Sequence, residues 1–128
     1  MEILASIPFH HSQAVVFDID DTLIDSDTDR VMPRTLSLYR HCVSRGYMVY
    51  IVTARARTPE GIAYTLDQLR HAGITGFRAI AFRPPHDMDV YAYKRNARRA
   101  IPGHVVMSVG DQPWDIGQYG GFGVIVRK

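Results

Sequence analysis

The stretch AVVFDIDDTLID, residues 14–25, decides the fold and raises the question of function. Its first half is a run of apolar β-forming residues, which predicts a buried strand. Its last eight positions hold four aspartates, Asp18, Asp20, Asp21 and Asp25. Carboxylates this close repel one another, and burying them costs free energy unless a cation neutralises the charge. The stretch therefore predicts a buried strand that ends at a cation site.

Apolar runs rich in Val, Ile and Phe recur along the chain, with helical patterns between them. They are AVVFDI (14–19), YMVYIVT (47–53), FRAIAF (77–82), HVVMSVG (104–110) and FGVIV (122–126). Nearly continuous apolar strands that alternate with helices favour a parallel sheet, joined by right-handed crossovers and covered on both faces. We therefore predict an α/β fold with a doubly wound, Rossmann-like sheet of five parallel strands.

Three helices are predicted between these strands, from the spacing of apolar residues and from the residues at the helix ends. The first begins near Pro33, the second spans 58–73, and the third lies within 89–103. The inner stripes predicted for the second and third helices are Ile62, Leu66 and Leu69, and Tyr93, Ala97 and Ala100. A short fourth helix is predicted to begin at Pro113.

Length and composition are those of one soluble globular domain, which we expect to span residues 1–128. Apolar residues make up 46% of the 128-residue chain and charged residues 22%, and no stretch is apolar enough to cross a membrane. Cys42 is the sole cysteine, which excludes an internal disulfide and suits a reducing compartment. Residues 1–13 carry no basic leader, so we expect no secretory signal and a cytoplasmic location.

Charge is spread unevenly along the chain, although the formal net charge is only +2. Six of the 13 acidic residues lie within 18–29, whereas YKRNARR, residues 93–99, carries four basic residues. An acidic centre ringed by basic residues suits a metal that meets an anionic substrate. A solvated helix face would give the same charge pattern, and at this point both interpretations stay open.

Polar residues follow three of the predicted strands at the point where each strand ends. Asp18 ends the first strand, Thr53 ends the second, and Asp111 follows the fourth. In an open parallel sheet, ligands bind beyond the carboxyl ends of the strands, where the strand order reverses. Oxygen ligands without cysteines or closely spaced histidines favour a hard ion, and Mg²⁺ suits a site that leaves positions for water and phosphate oxygen.

Four short motifs follow one another along the chain: DIDDT at 18–22, VT at 52–53, Lys94, and GDQPWD at 110–115. In kind and order they resemble the signature motifs of the haloacid dehalogenase (HAD) superfamily. Among its subfamilies, the sequence is most similar to the acid-phosphatase-like one, called IIIB. The resemblance implies a HAD-like core with the strand order 5-4-1-2-3. It also implies a phosphatase, that is, a hydrolase that acts on phosphoric monoester bonds.

Carried over by position, the resemblance implies a role for each matched residue. Asp18 would be the nucleophile that becomes an aspartyl phosphate. Asp20 would be the general acid that protonates the leaving alcohol and then the base that activates water. Thr53 would donate a hydrogen bond to a phosphoryl oxygen, and Lys94 would neutralise charge on the nucleophile and on the transferring phosphoryl group.

The resemblance also implies a Mg²⁺ site, with Asp115 acting directly or through water. Its ligands would be Asp18, the backbone carbonyl of Asp20, Asp111 and Asp115. Candidate contacts to phosphate or substrate are Arg55, just past the second strand, and Arg83, on the rim of the site with His86. For Arg55 and its neighbour Arg57, a local structural role is an equal alternative.

The intervals that hold an inserted cap domain in many relatives are short here, at 22–53 and 82–94. We therefore expect an uncapped, open site that serves a large or flexible phosphorylated substrate, either a small molecule or a macromolecule. Closure of the site by a partner subunit in an oligomer is an alternative. Nucleic-acid ends are weakly supported substrates, because no basic motif interleaved with aromatic residues accompanies the arginines. No membrane partner is expected.

Three alternatives keep the same residues but change their function. A phosphotransferase would pass the phosphoryl group to a hydroxyl other than water. A receiver-like phosphoacceptor, which is not an enzyme, shares the acidic pair, the Thr and the Lys, but here Asp111 and Asp115 come after Lys94 in the chain, which disfavours it. A degenerate binding or storage protein on the same fold is less expected, because Asp18, Asp20, Lys94 and Asp111 are all present.

Overall fold

The computed structural model describes residues 13–128. Their strands are β1 (Gln13–Phe17), β2 (Met48–Ala56), β3 (Ala79–Arg83), β4 (His104–Gly110) and β5 (Phe122–Ile125). Their helices are α1 (Pro33–Ser44), α2 (Pro59–His71) and α3 (Val90–Arg99), and the predicted short helix is a 3₁₀ turn at Pro113–Asp115. The expectation that no secretory signal is present rests on residues 1–12, which lie outside the described residues.

The strands form one parallel sheet in the order β3-β2-β1-β4-β5. Read from the other edge, this is the predicted order 5-4-1-2-3, so the predicted α/β fold with a Rossmann-like parallel sheet is confirmed. β1 is central, and its Val16 pairs with Tyr50 of β2 on one side and with Ser108 of β4 on the other. The strand order reverses between β1 and β4, so their carboxyl ends lie side by side where such sheets bind ligands.

Alternate residues of β1 are buried on opposite faces of the sheet. Val15 and Phe17 belong to a large apolar cluster to which α1 and α2 contribute, and Ala14 and Val16 belong to a smaller cluster with residues of α3. Helices therefore cover both faces, as a doubly wound sheet requires. In the part of the chain that is described, no helix has both the length and the apolar character needed to cross a bilayer.

α1 packs on the sheet through Tyr39 and Cys42. The Tyr39 ring meets Phe17 edge-on, with 5.2 Å between ring centroids, and its hydroxyl donates a 2.8 Å hydrogen bond to the Thr75 carbonyl. Burial raises the pKa of the Cys42 thiol to about 12. The thiol therefore stays protonated near neutral pH and packs as a small apolar group.

The ends of the helices and strands follow the sequence signals closely, with two differences in the strands. Thr58 caps α2 as predicted, because its side chain accepts a 3.0 Å hydrogen bond from the Gly61 N–H. β1 is shorter than predicted and ends at Phe17, and the turn that follows closes on the Ile19 carbonyl. β2 is longer than predicted, since Ala56 still pairs with Arg83 of β3 beyond a register shift.

The inner stripe predicted for α2 is wrong at one position. Leu66 is 43% exposed, and Thr65 takes the inner position between Ile62 and Leu69. Thr65 is fully buried because its hydroxyl has a partner there, a 3.0 Å hydrogen bond donated by Arg55 Nη1. A paired hydroxyl can replace a leucine side chain in the interior without leaving a polar group unsatisfied.

The inner stripe predicted for α3 is also wrong in part. Tyr93 and Ala97 pack on the sheet as expected, but Ala100 is exposed just past the end of the helix. Lys94 and Arg98 occupy the remaining buried positions of this face. Their charged groups are accepted in the interior because each makes several hydrogen bonds there.

Substitution of the two leucines of α2 tests this packing. We expect Leu69→Ala to lower the free energy of unfolding by about 2–5 kcal/mol, because Leu69 is 1% exposed and its loss leaves a cavity. Leu66→Ala is the matched control and should change it by no more than about 0.5 kcal/mol. Urea unfolding followed by circular dichroism measures both, and equal effects of the two substitutions would contradict the packing of α2.

Candidate active site

Asp18 is the first residue after β1, at the carboxyl end of the central strand. Its backbone N–H still donates to the Val109 carbonyl of β4 at 3.0 Å, which keeps the residue in line with the sheet. Its side chain is 10% exposed. A carboxylate so far from water must be satisfied by neighbouring protein groups or by a bound cation.

A tight turn after Asp18 brings a hydroxyl group back to its carboxylate. The backbone N–H groups of residues 22–24 converge on the Ile19 carbonyl at distances of 2.9–3.1 Å. Within this turn Asp21 adopts a φ of 59°, a left-handed conformation that Asp tolerates better than most residues. The turn places Thr22 so that its Oγ1 donates to Asp18 Oδ2 at 3.2 Å.

Lys94 reaches the same carboxylate from α3. Its Nζ donates to Asp18 Oδ1 at 3.0 Å and to the Val52 carbonyl of β2 at 2.7 Å. The same nitrogen lies 2.7 Å from Asp115 Oδ1, an ion-pair contact that is too bent to count as a hydrogen bond. The ammonium is almost fully buried, so these oxygens replace its water shell.

The loop after β4 brings two more carboxylates to this point. Asp115 is buried, and its Oδ2 accepts the backbone N–H groups of Asp111 and Gln112, both at 3.1 Å. Asp115 also lies against Gly110 so closely that a Cβ at that position would overlap it, so the loop needs a glycine there. These contacts fix the backbone of Asp111 to the side chain of Asp115.

Asp18, Asp111 and Asp115 form a compact cluster, with one carboxylate oxygen from each lying within 4.8 Å of the others. Burial raises the pKa of Asp18 to about 7, against the opposing charge of Lys94 and with a further increase from Asp115. If all three carboxylates were ionised, one ammonium would leave the group two charges negative. Hard oxygen donors with that excess charge fit a divalent ion of the Mg²⁺ or Ca²⁺ type.

Asp20 is not part of this cluster, and its side chain lies beside Arg55. The Arg55 guanidinium donates to both carboxylate oxygens, from Nε at 3.0 Å and from Nη2 at 2.8 Å. The remaining nitrogen, Nη1, donates to Thr65, and the Tyr64 ring lies 6.0 Å from the guanidinium. Asp20 keeps 44% of its side chain exposed, so the paired carboxylate still faces solvent.

Thr53 lies at the end of the regular part of β2 and is fully buried. Its Oγ1 accepts the N–H of Arg55 at 3.1 Å, which leaves the hydroxyl proton free to donate elsewhere. Its carbonyl accepts a 2.7 Å hydrogen bond from the hydroxyl of Tyr93. The side chain of Thr53 is therefore held in one orientation at the edge where Asp18 lies.

The Arg83 side chain donates hydrogen bonds to the backbone around it. Its Nε donates to the Ala54 carbonyl at 2.9 Å, and its Nη1 donates to the Asp87 carbonyl at 2.8 Å. These bonds join the segment after β3 to β2. The predicted contacts of Arg83 and His86 with substrate stay predictions, and His86 is exposed on this segment.

Sequence reasoning missed three features of the site. Thr22 supports Asp18, Arg55 pairs with Asp20, and the basic segment 93–99 divides into buried and exposed residues. The sequence holds a signal for the first and the third of these features. Thr22 belongs to the DIDDT motif itself. Lys94 and Arg98 are four residues apart, which places both side chains on one helix face.

A family model described as HAD superfamily, subfamily IIIB (acid phosphatase), matches residues 24–122. The chain belongs to this family. Membership confirms the predicted resemblance, and the family is described as one of acid phosphatases. Members of this superfamily generally use a divalent metal, for which the acidic cluster is suited.

Solved structures share the fold at low sequence identity. A structure of the Pnkp1/Rnl/Hen1 complex is similar with a TM-score of 0.67 and 19% identity, over 80% of this chain and 40% of that chain. A structure of DsGPDH of Dunaliella salina is similar with a TM-score of 0.52 and 20% identity, over 80% of this chain and 20% of that chain. This chain therefore spans less than half the length of either structure. No curated protein matches it in sequence.

Divalent cations should stabilise the folded protein through the acidic cluster. A ligand that binds only the folded state at about 100 times its Kd adds about 2.7 kcal/mol, which raises the midpoint of thermal unfolding by several degrees. Asp111→Asn should remove most of this increase, whereas Asp67→Asn, which removes an exposed carboxylate of α2, should keep it. Thermal unfolding with 0–10 mM MgCl₂ or MnCl₂ measures the effect, and an equal increase in all three proteins would speak against the cluster as the ion site.

Proposed function

We propose that the chain is a Mg²⁺-dependent phosphomonoester hydrolase that works through an aspartyl phosphate on Asp18. The observation that carries the proposal is the position of Lys94 Nζ, within 3.0 Å of both Asp18 and Asp115. Asp18 and Asp115, which are far apart in the sequence, thereby meet at one ammonium group at the carboxyl edge of the sheet. Family membership supports phosphate-ester chemistry at this edge.

In the proposed reaction, a carboxylate oxygen of Asp18 attacks the phosphorus atom of the substrate. A bond from Asp18 to phosphorus forms, the bond to the leaving alcohol breaks, and Asp20 gives its proton to the alkoxide oxygen. A water molecule then attacks the same phosphorus atom while Asp20 takes one of its protons. The bond from phosphorus to Asp18 breaks, inorganic phosphate leaves, and Asp18 is a carboxylate again.

Mg²⁺ held by Asp18, Asp111 and the backbone carbonyl of Asp20, with Asp115 in support, would supply positive charge that favours ionised Asp18 and neutralises phosphoryl oxygens. The protein's own groups do the rest. Lys94 carries a fixed positive charge beside the attacking oxygen, and Thr22 holds the other oxygen of the same carboxylate. Thr53 has a free hydroxyl proton for a phosphoryl oxygen, because its oxygen already accepts a backbone N–H.

Asp20 has the exposure to solvent that a general acid and base needs. Its exposed side chain can meet both the leaving group and a water molecule, whereas Asp18 is shielded from solvent. The bidentate contact from Arg55 fixes the plane of the Asp20 carboxylate. In this proposal Arg55 orients Asp20, and further contacts of Arg55 or Arg83 with substrate stay predictions.

The segments around the site support an uncapped architecture, in which residues 1–128 form a single HAD-like domain. Residues 18–32 connect β1 to α1, and residues 84–89 connect β3 to α3. Both segments are too short for an inserted domain. We therefore propose an open site for a large or flexible phosphorylated substrate, and closure by a partner subunit is the alternative that a measurement of oligomeric state would address.

Two aspartate substitutions test the proposed mechanism. Asp18→Asn should abolish turnover of p-nitrophenyl phosphate, because no nucleophile remains. Asp20→Asn should lower kcat about 10²–10⁴-fold, the usual range for loss of a general acid and base. Asp27→Asn, an exposed aspartate of the same segment, is the control and should keep wild-type turnover.

The same assay separates the alternatives. Phosphate release that needs Mg²⁺ and is abolished by EDTA supports the hydrolase. Transfer to an added alcohol in excess of phosphate release would favour a phosphotransferase, and stable phosphorylation without turnover would favour a receiver-like phosphoacceptor. Wild-type turnover by Asp18→Asn would reject the assigned nucleophile.

Arg55→Lys tests whether the bidentate contact orients Asp20. Lysine keeps the positive charge but cannot hold both carboxylate oxygens in one plane. We expect kcat to fall roughly 10–100-fold, the cost of a small misplacement of a catalytic group, while metal-induced stabilisation is unchanged. Arg70→Lys, on the exposed face of α2, is the matched control. A fall in metal-induced stabilisation equal to the fall in kcat would mean that Arg55 acts on the metal site instead.

A further inference from the structure

Arg98 is a buried charge that the proposed reaction does not use. It lies one helical turn after Lys94 on α3 and is 4% exposed. Burial lowers the pKa of its guanidinium, and the charge of Asp115 opposes that effect. A buried guanidinium without a direct carboxylate partner costs free energy, so its surroundings must compensate by hydrogen bonding.

Three backbone carbonyls of one loop provide that compensation. Nη1 donates to the Trp114 carbonyl at 2.8 Å, Nη2 to the Ile116 carbonyl at 3.2 Å, and Nε to the Gln118 carbonyl at 3.0 Å. The carbonyls belong to alternate residues, so the planar guanidinium holds the whole segment 114–118. Neither a helix nor a strand satisfies these carbonyls, because the segment is irregular after its single 3₁₀ turn.

The segment that Arg98 holds is the one that carries the late carboxylates. Asp115 lies between the first two of the bound carbonyls in sequence, and its Oδ2 accepts the N–H groups of Asp111 and Gln112. A continuous set of contacts thus runs from Arg98 through the backbone of residues 114–116 to Asp115, and from Asp115 to the backbone of Asp111. Arg98 does not contact any of the three clustered carboxylates by hydrogen bond in the described residues.

We infer that Arg98 is a positioning residue, which sets the affinity of the acidic cluster for a divalent cation by fixing the loop that carries Asp111 and Asp115. The inference rests on the metal site of the proposed function, but not on the steps of phosphoryl transfer, because it concerns metal binding alone. Partners that orient metal ligands typically change metal affinity 10–100-fold when they are substituted.

The sign of the change separates positioning from simple electrostatics. Arg98 is positively charged and interacts with Asp115 at a distance. If only its charge mattered, its removal would make the cluster more negative and cation binding tighter. If it positions the loop, its removal makes cation binding weaker.

Titration calorimetry with Mn²⁺ on the metal-free protein tests the inference. Arg98→Lys keeps the charge and loses the planar fork, and Arg98→Met loses both. We expect both variants to bind Mn²⁺ about 10–100-fold more weakly than the wild type. Arg95→Met, which removes an exposed charge from the same helix, should bind as the wild type does or slightly more tightly.

One further measurement keeps the test decisive. Thermal unfolding of each metal-free variant fixes a temperature at which it is fully folded, and the titration is made there. If Arg98→Met does not fold, Arg98→Lys carries the test alone. Mn²⁺ binding by Arg98→Lys as tight as in the wild type, or tighter, would overturn the inference, whatever the phosphatase assay gives.

Discussion

The arrangement of the site depends on the ammonium group of Lys94. It is buried between Asp18 and Asp115, at 3.0 and 2.7 Å, and these two residues come from opposite ends of the chain. An ammonium in the protein interior is tolerated only when oxygen atoms replace its water shell, and a carboxylate there needs a positive charge nearby. Lys94 therefore lowers the cost of burying each carboxylate, and the two carboxylates lower the cost of burying Lys94, although they repel each other.

The sheet and α3 together bring Asp18, Lys94 and Asp115 into contact. β1 and β4 are neighbours because the strand order reverses between them, so Asp18 and the loop after β4 start at the same edge. α3 then connects the strand ends. Lys94 bonds to the Val52 carbonyl at the end of the regular part of β2, and Arg98 bonds to carbonyls of the loop after β4. One helix face thus fixes the relative positions of three strand ends, which explains why it buries Lys94 and Arg98 beside Tyr93 and Ala97.

Much of the fold and the general position of the site follow from the sequence, since apolar runs predict the strands and strand ends predict where Asp18 and Asp111 meet. The choice of side-chain partners does not follow from it. Asp20 and Arg55 are 35 residues apart, and their pairing depends on the register of β1 against β2. Thr65 is buried because of the same arginine. Hydrophobic periodicity assigns inner positions to apolar residues and therefore misses polar residues that are buried with a distant partner.

Asp18 and Asp20 are separated by one residue and lie in opposite surroundings. The turn after β1 directs Asp18 inward, where Lys94 and Thr22 hold its two oxygens, and leaves Asp20 at the surface in a bidentate contact with Arg55. Roles for paired carboxylates are set by such differences in environment. A nucleophile benefits from a fixed position away from competing water, whereas a group that exchanges protons with a leaving alcohol and with water must reach solvent. The one-residue spacing in DIDDT thus suits the proposed division of labour because the chain turns there, and a continued strand would have directed both side chains to the same face.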